Sequence, residues 1–100
     1  MKVCILGSGA YGLALSTIFN KNNYEVVCYS NNRKEVHSLT KTRLTPRIES
    51  FTIPKEIKFT NNIKQAIKSS TLVVIAVPAR SVDEITKKIS KYITSKMHIL

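Results

Sequence analysis

Apolar positions in this chain alternate between short unbroken runs and runs spaced by three and four. Residues 2–6 (KVCIL) form a run rich in branched side chains that stops at Gly7, as a strand buried on both faces would. From Ala10 the pattern AYGLALSTIFNK predicts a helix of about three turns, with Ala14, Leu15, Ile18 and Phe19 on its apolar side and the Asn22, Asn23 pair as its stop. Residues 25–29 (EVVCY) predict a second strand, and only a helical crossover brings it back parallel to the first.

After Ser30 the chain turns polar, and residues 33 to about 41 predict a short helix around Val36 and Leu39. Pro46 and Pro54 make residues 42–60 an excursion with a short strand near 57–59, and a loop of that length in a small domain is usually functional or mobile. Asn61 or Asn62 caps a helix with Ile63, Ala66 and Ile67 on one face, ending near Ser69 and Ser70. Residues 72–77 (LVVIAV) are the most apolar run and suit a central strand of a parallel sheet. Ser81 and Glu84 have capping-box spacing, and Val82, Ile85, Ile89 and Tyr92 or Ile93 follow along one helical face. Residues 97–100 (MHIL) read as the opening of one more strand.

Strands and helices thus alternate from end to end, the pattern of an α/β fold: a Rossmann-type, doubly wound, mostly parallel sheet, expected to be truncated at its C-terminal end. One hundred residues hold one domain and leave no room for a second. The reading is therefore an incomplete dinucleotide-binding domain over 1–100, with poor solubility or self-association expected where a sheet edge and apolar helix faces lie uncovered.

Composition narrows the class. A hydrophobic fraction of 43% and a charged fraction of 22% are ordinary globular usage. No run reaches the roughly 20 apolar residues of a membrane span, and the start lacks a secretory leader, so a cytoplasmic protein is expected. The formal net charge of +10 favours anionic partners, but the basic residues are scattered, which reads as a solvated surface rather than a nucleic-acid patch. Cys4 and Cys28 each fall within a strand and read as small buried apolar groups; with His37 and His98 far apart, no metal site is expected.

Gly7-Ser8-Gly9-Ala10-Tyr11-Gly12 fits G-x-G-x-x-G, and its position after one strand, at the opening of a helix and ahead of a second strand supplies the context that this motif needs. Gly7 permits the tight turn, Gly9 lets backbone approach a pyrophosphate, and Gly12 lets the helix lie close to the sheet. First-turn amides and the helix dipole then hold the two phosphates without a side-chain cation. The carboxylate that usually ends the second strand of an NAD-specific fold is missing: the chain reads Tyr29-Ser30-Asn31-Asn32-Arg33. NADP(H) is therefore expected to bind at least as well as NAD(H), with Arg33 either pairing with a 2′-phosphate or standing free in solvent. Pro78, at the end of the 72–77 run, either walls the nicotinamide half of the cofactor or only ends the strand.

These residues resemble the NAD(P)-dependent glycerol-3-phosphate dehydrogenases over essentially the whole chain. KVCILGSGAYGLALS is similar to that family's opening, with Ala10 and Tyr11 as its small and aromatic residues; EVVCYSNN resembles its second strand, and TLVVIAVPAR its hydrophobic strand ending in Val-Pro. The resemblance implies hydride transfer between dihydroxyacetone phosphate and glycerol 3-phosphate, supplying the glycerol backbone of phospholipids, with NAD or NADP as cofactor. It implies cofactor contacts at Gly7, Ser8, Gly9, Ala10, Tyr11, Gly12, Asn31, Asn32 and Pro78. Asparagines stand where the family carries basic residues near the adenosine phosphate, and its tyrosine-leucine-proline before the loop's strand is degraded. The family's catalytic lysines and aspartate lie beyond these positions in sequence, so no catalytic residue is assigned. The phosphorylated three-carbon substrate would be met only in a complete enzyme, and assembly into homo-oligomers stays open. Two other readings share the same opening: a ketopantoate or hydroxyacid reductase, and a non-catalytic nucleotide-sensing module.

Overall fold

In the computed structural model, which describes residues 1–100, five strands form one parallel sheet in the order β3-β2-β1-β4-β5. They are β1 (Lys2–Leu6), β2 (Glu25–Tyr29), β3 (Lys58–Thr60), β4 (Leu72–Ile75) and β5 (His98–Ile99). Helices α1 (Ala10–Lys21), α2 (Arg33–Thr42), α3 (Ile63–Ile67) and α4 (Val82–Ile89) fill the crossovers. The chain runs outward from β1 through β2 to β3, then returns to place β4 on the other side of β1. Strand order therefore reverses between β1 and β4, which defines a doubly wound sheet and its switch point.

Because strand side chains alternate between faces, the three central strands β1, β2 and β4 feed two cores. Val3, Ile5, Val26, Cys28 and Val74 meet Leu13, Leu39, Ile53 and Ile57 on one face. Cys4, Leu6, Val27, Tyr29 and Val73 meet Ala66, Ile67, Ile85 and Ile89 on the other. Burial on both faces is why these strands read as unbroken apolar runs. It also separates the two free cysteines, which lie on opposite faces of the sheet.

The strand expected over 72–77 pairs only over Leu72–Ile75, and two helix expectations are also corrected. The buried side of α1 is Gly12, Leu13 and Ser16, with Leu15 and Phe19 partly covered; Ala14 and Ile18 are exposed. The helix lies so close to the sheet that small residues occupy its inner face, and the Ser16 hydroxyl is satisfied by Gly12 O at 2.8 Å. At α4 the capping box does not form. Ser81 closes a 3-10 turn, Ala79–Ser81, in a helical conformation, and its side chain makes no capping bond.

The excursion between α2 and β3 is packed rather than loose. Ile53 and Ile57 are fully buried, and Ile53 N donates to Arg43 O at 2.8 Å. Arg43 ends α2 in the left-handed conformation, φ 59°. Its guanidinium donates to the carbonyls of Pro54 (3.2 Å) and Ile57 (2.5 Å) and lies over the Phe59 ring.

Candidate functional site

A cleft of about 690 Å³ opens beyond the carboxyl ends of β1, β2 and β4, at the switch point. Its floor is the turn from β1 to α1, Gly7 to Tyr11; one wall is Tyr29 to Asn32 with Glu35 and Arg47. The other wall is Ile75 to Pro78, with Arg80, Glu84 and Lys88 at its lip.

The turn is shaped by steric necessity at two of its glycines. Gly7 has φ +131°, and a Cβ there would lie 2.6 Å from Ala76 O, so the first glycine is fixed by the residue that follows β4 as well as by the turn itself. A Cβ at Gly12 would lie 2.6 Å from Gly7 O, so α1 could not rest on the turn with any side chain at that place. Gly9 differs: a Cβ there meets nothing within 4 Å. Packing within the chain gives no reason for that glycine, whereas room for a ligand over its backbone does.

Gly9 begins α1 in extended conformation with no side-chain cap and no acidic residue in the first turn. The first intrahelical bond is Leu13 N to Gly9 O at 2.9 Å, so the amides ahead of it have no acceptor within the helix. Bare N–H groups at the positive end of a helix dipole, facing an open cleft, are an anion seat.

Beside that seat lies a carboxylate. Asn32 caps α2 by accepting from Glu35 N at 3.1 Å, which orients the first turn of α2 so that Glu35 reaches back across the end of β2. Ser8 Oγ of the glycine turn donates to Glu35 Oε1, and Ser30 Oγ lies 3.3 Å from the same oxygen. Arg47 pairs with Oε2 at 3.0 Å. Partial burial works to raise the Glu35 carboxyl, but the bonds from Ser8 and Arg47, the Arg47 charge and Ser30 outweigh it and hold the group below the usual carboxylate range.

With that geometry in place, sequence comparison decides the family. The chain matches the family described as NAD-dependent glycerol-3-phosphate dehydrogenase N-terminus over residues 2–100. It belongs to that family. Curated relatives include the glycerol-3-phosphate dehydrogenase [NAD(P)+] of Wigglesworthia glossinidia brevipalpis, 32% identical over 99 residues, covering 98% of this chain and 30% of the relative. That of Fusobacterium nucleatum is 28% identical, covering 100% of this chain and 30% of its own length. This chain thus spans about 30% of the length of these relatives. The crystal structure of glycerol-3-phosphate dehydrogenase from Coxiella burnetii superposes with a TM-score of 0.90 at 22% identity, over 98% of this chain and 30% of that one. A ketopantoate reductase from Ralstonia eutropha reaches 0.80 at 19% identity over 99% of this chain and 33% of its own, a likeness of fold.

Within this N-terminal dehydrogenase family unit, the expected site residues Gly7, Ser8, Gly9, Ala10, Tyr11, Asn31, Asn32 and Pro78 all line the one cleft. Gly12 stands behind it, buried on the inner side of α1. The Asn32 carboxamide oxygen is committed to capping α2, and Arg33, exposed, is not part of the wall. Sequence reasoning missed Ser30, Glu35 and Arg47. Asn32 and Glu35, spaced as a cap and its third residue, were the one local signal for the orientation of Glu35. Nothing local signalled Arg47. No His, Cys, Asp and Glu side chains gather as a metal-binding group, and no helix is long and apolar enough to cross a membrane.

Proposed function

We propose that the cleft binds NAD(H) or NADP(H), with the pyrophosphate on the first-turn amides of α1, the adenosine toward β2 and the nicotinamide toward Pro78. The observation that carries this reading is Gly9, whose missing side chain opens onto the cleft while its neighbours in the motif are glycines for packing reasons inside the chain. The nicotinamide, when bound, supplies or accepts a hydride. The chain's own part is to seat the phosphates by backbone donors, hold the ribose beside Tyr29 to Asn32 and wall the ring side with Val77 and Pro78.

The family match extends the proposal. This chain serves as the cofactor portion of a glycerol-3-phosphate dehydrogenase, reducing dihydroxyacetone phosphate or oxidising glycerol 3-phosphate, in support of glycerophospholipid synthesis. The curated relatives described above are NAD(P)+ enzymes of that name, and the residue match over 2–100 favours them over reductases that share only the fold. In our reading residues 1–100 are a dinucleotide-binding domain whose substrate contacts come from a helical domain. A reducing, cytoplasmic setting agrees with two buried cysteines kept as thiols.

Calorimetric titration of the chain with NADH and NADPH tests the proposal. Saturable one-to-one binding that weakens at least about tenfold in Gly9→Val, with the fold retained, is the expected result. Absence of binding by either dinucleotide to folded wild-type chain would remove it.

A further inference from the structure

We propose that Glu35 selects against a cofactor that carries a phosphate on its adenosine 2′-oxygen, so that this chain prefers NAD(H). The inference rests on the cofactor reading above and adds to it the choice between two cofactors.

Residues 29–33 carry no acid, yet the structure brings one to the same corner from the first turn of α2. Glu35 bridges Ser8, in the glycine turn, and Ser30, directly after β2. A dinucleotide with its pyrophosphate on α1 and its adenine toward β2 must set its adenosine ribose between those two places. Glu35 lines the cleft there, with its side chain 23% exposed.

The Glu35 carboxylate keeps acceptor capacity for a ligand. Two oxygens provide about four lone-pair sites. Ser8, Ser30 and Arg47 take three of them, and the Ser30 contact at 3.3 Å is long enough to yield. A ribose hydroxyl can donate to the free site or replace Ser30. A 2′-phosphate has no proton to donate once ionised and brings about −1.5 to −2 charges against a carboxylate already held ionised by its partners. Arg47 offsets the repulsion only in part: its guanidinium already binds Oε2, and it is half exposed to water. The expectation drawn from the strand end alone, that nothing there repels the phosphate, thus loses its premise.

Dissociation constants of NADH and NADPH for wild type and Glu35→Gln test this. Wild type is expected to favour NADH by at least about tenfold. Glu35→Gln is expected to bring the ratio near one, chiefly by tightening NADPH, because the amide neither repels the phosphate nor holds Arg47. A merely structural Glu35 would weaken both dinucleotides together and leave the ratio alone, and an unchanged ratio overturns the inference. The wild-type chain supplies a second readout that needs no variant: raising ionic strength should shrink the NADH preference as repulsion is screened, and a preference absent, reversed or unmoved by salt overturns it. Equal binding of the two cofactors sinks only this inference, while failure of both to bind sinks the cofactor reading as well.

Discussion

Gly7 and Ala76 meet backbone to backbone, so closely that a Cβ on Gly7 would fall 2.6 Å from the Ala76 carbonyl oxygen. Neither chain segment can give way, because Gly7 N is bonded to Tyr29 O and Ala76 N to Leu6 O, both at 2.9 Å. Gly7→Ala should therefore destabilise the fold by about 1–3 kcal/mol from the backbone conformation alone, and more from the clash. Urea unfolding measures it; a variant as stable as wild type would show that the turn after β1 is not held by Ala76.

Gly9→Val should behave in the opposite way. Gly9 is extended, φ −71° and ψ −178°, a conformation that valine adopts readily, and open space surrounds the added carbon. The thermal midpoint should stay within about 3 °C of wild type, while dinucleotide affinity drops at least about tenfold. Loss of the fold, or retention of affinity, contradicts the role given to this position.

Acid should uncouple the corner around Glu35. Its folded-state pKa lies below the ordinary 4.5, so ionised Glu35 contributes stability that is fully present above that value and is lost as pH falls through the folded pKa. Melting curves between about pH 7 and pH 3 should show a steeper acid decline for wild type than for Glu35→Gln. Parallel declines would mean that Ser8 and Arg47 do not favour the charged form.

Arg43 should be the pin of the excursion between α2 and β3. Removing its guanidinium leaves the Pro54 and Ile57 carbonyls without their donor, in the segment that carries the buried Ile53 and Ile57. Arg43→Ala should cost about 1.5–3 kcal/mol and speed proteolysis within residues 44–56; Arg43→Lys should restore little, since one ammonium cannot reproduce the fork. Unchanged cleavage kinetics would contradict this.

The thiols should be inert in the folded chain. Burial pushes Cys4 up to about 12 and Cys28 up to about 11, the latter despite its 2.8 Å contact with Ser16 Oγ. Alkylation at about pH 8 should be slow until denaturant is added. Rapid labelling of native protein would indicate that one sheet face opens.

What the sequence revealed follows from where each signal resides. β1 and β2 could be bounded to the residue because strands buried on both faces are apolar throughout, and the glycine motif is local by construction. The 72–77 run overshot: only Leu72–Ile75 pairs as strand, while Ala76 and Val77 are apolar because they wall the cleft and close over Gly7 and Gly12. The inner face of α1 was misjudged because close approach demands Gly12 and Ser16, which do not look like core. Ser81 met the spacing of a cap, yet the 3-10 turn ahead of α4 put it in a helical conformation. Ile53 sits between Pro46 and Pro54 and carries no periodicity, so nothing local marks it as buried, whereas its amide bond to Arg43 O folds the loop back. Glu35 was invisible as a site residue because its partner Ser8 lies 27 positions earlier, and only the register of β1 on β2 brings them together.

Helix α1 begins with no cap of its own. An anion laid across its opening turn would finish the helix as well as occupy the cleft, so ligation and folding share one set of donors. The chain's melting temperature would then climb with nucleotide concentration, and its lifetime in a cell would follow the supply of its ligand.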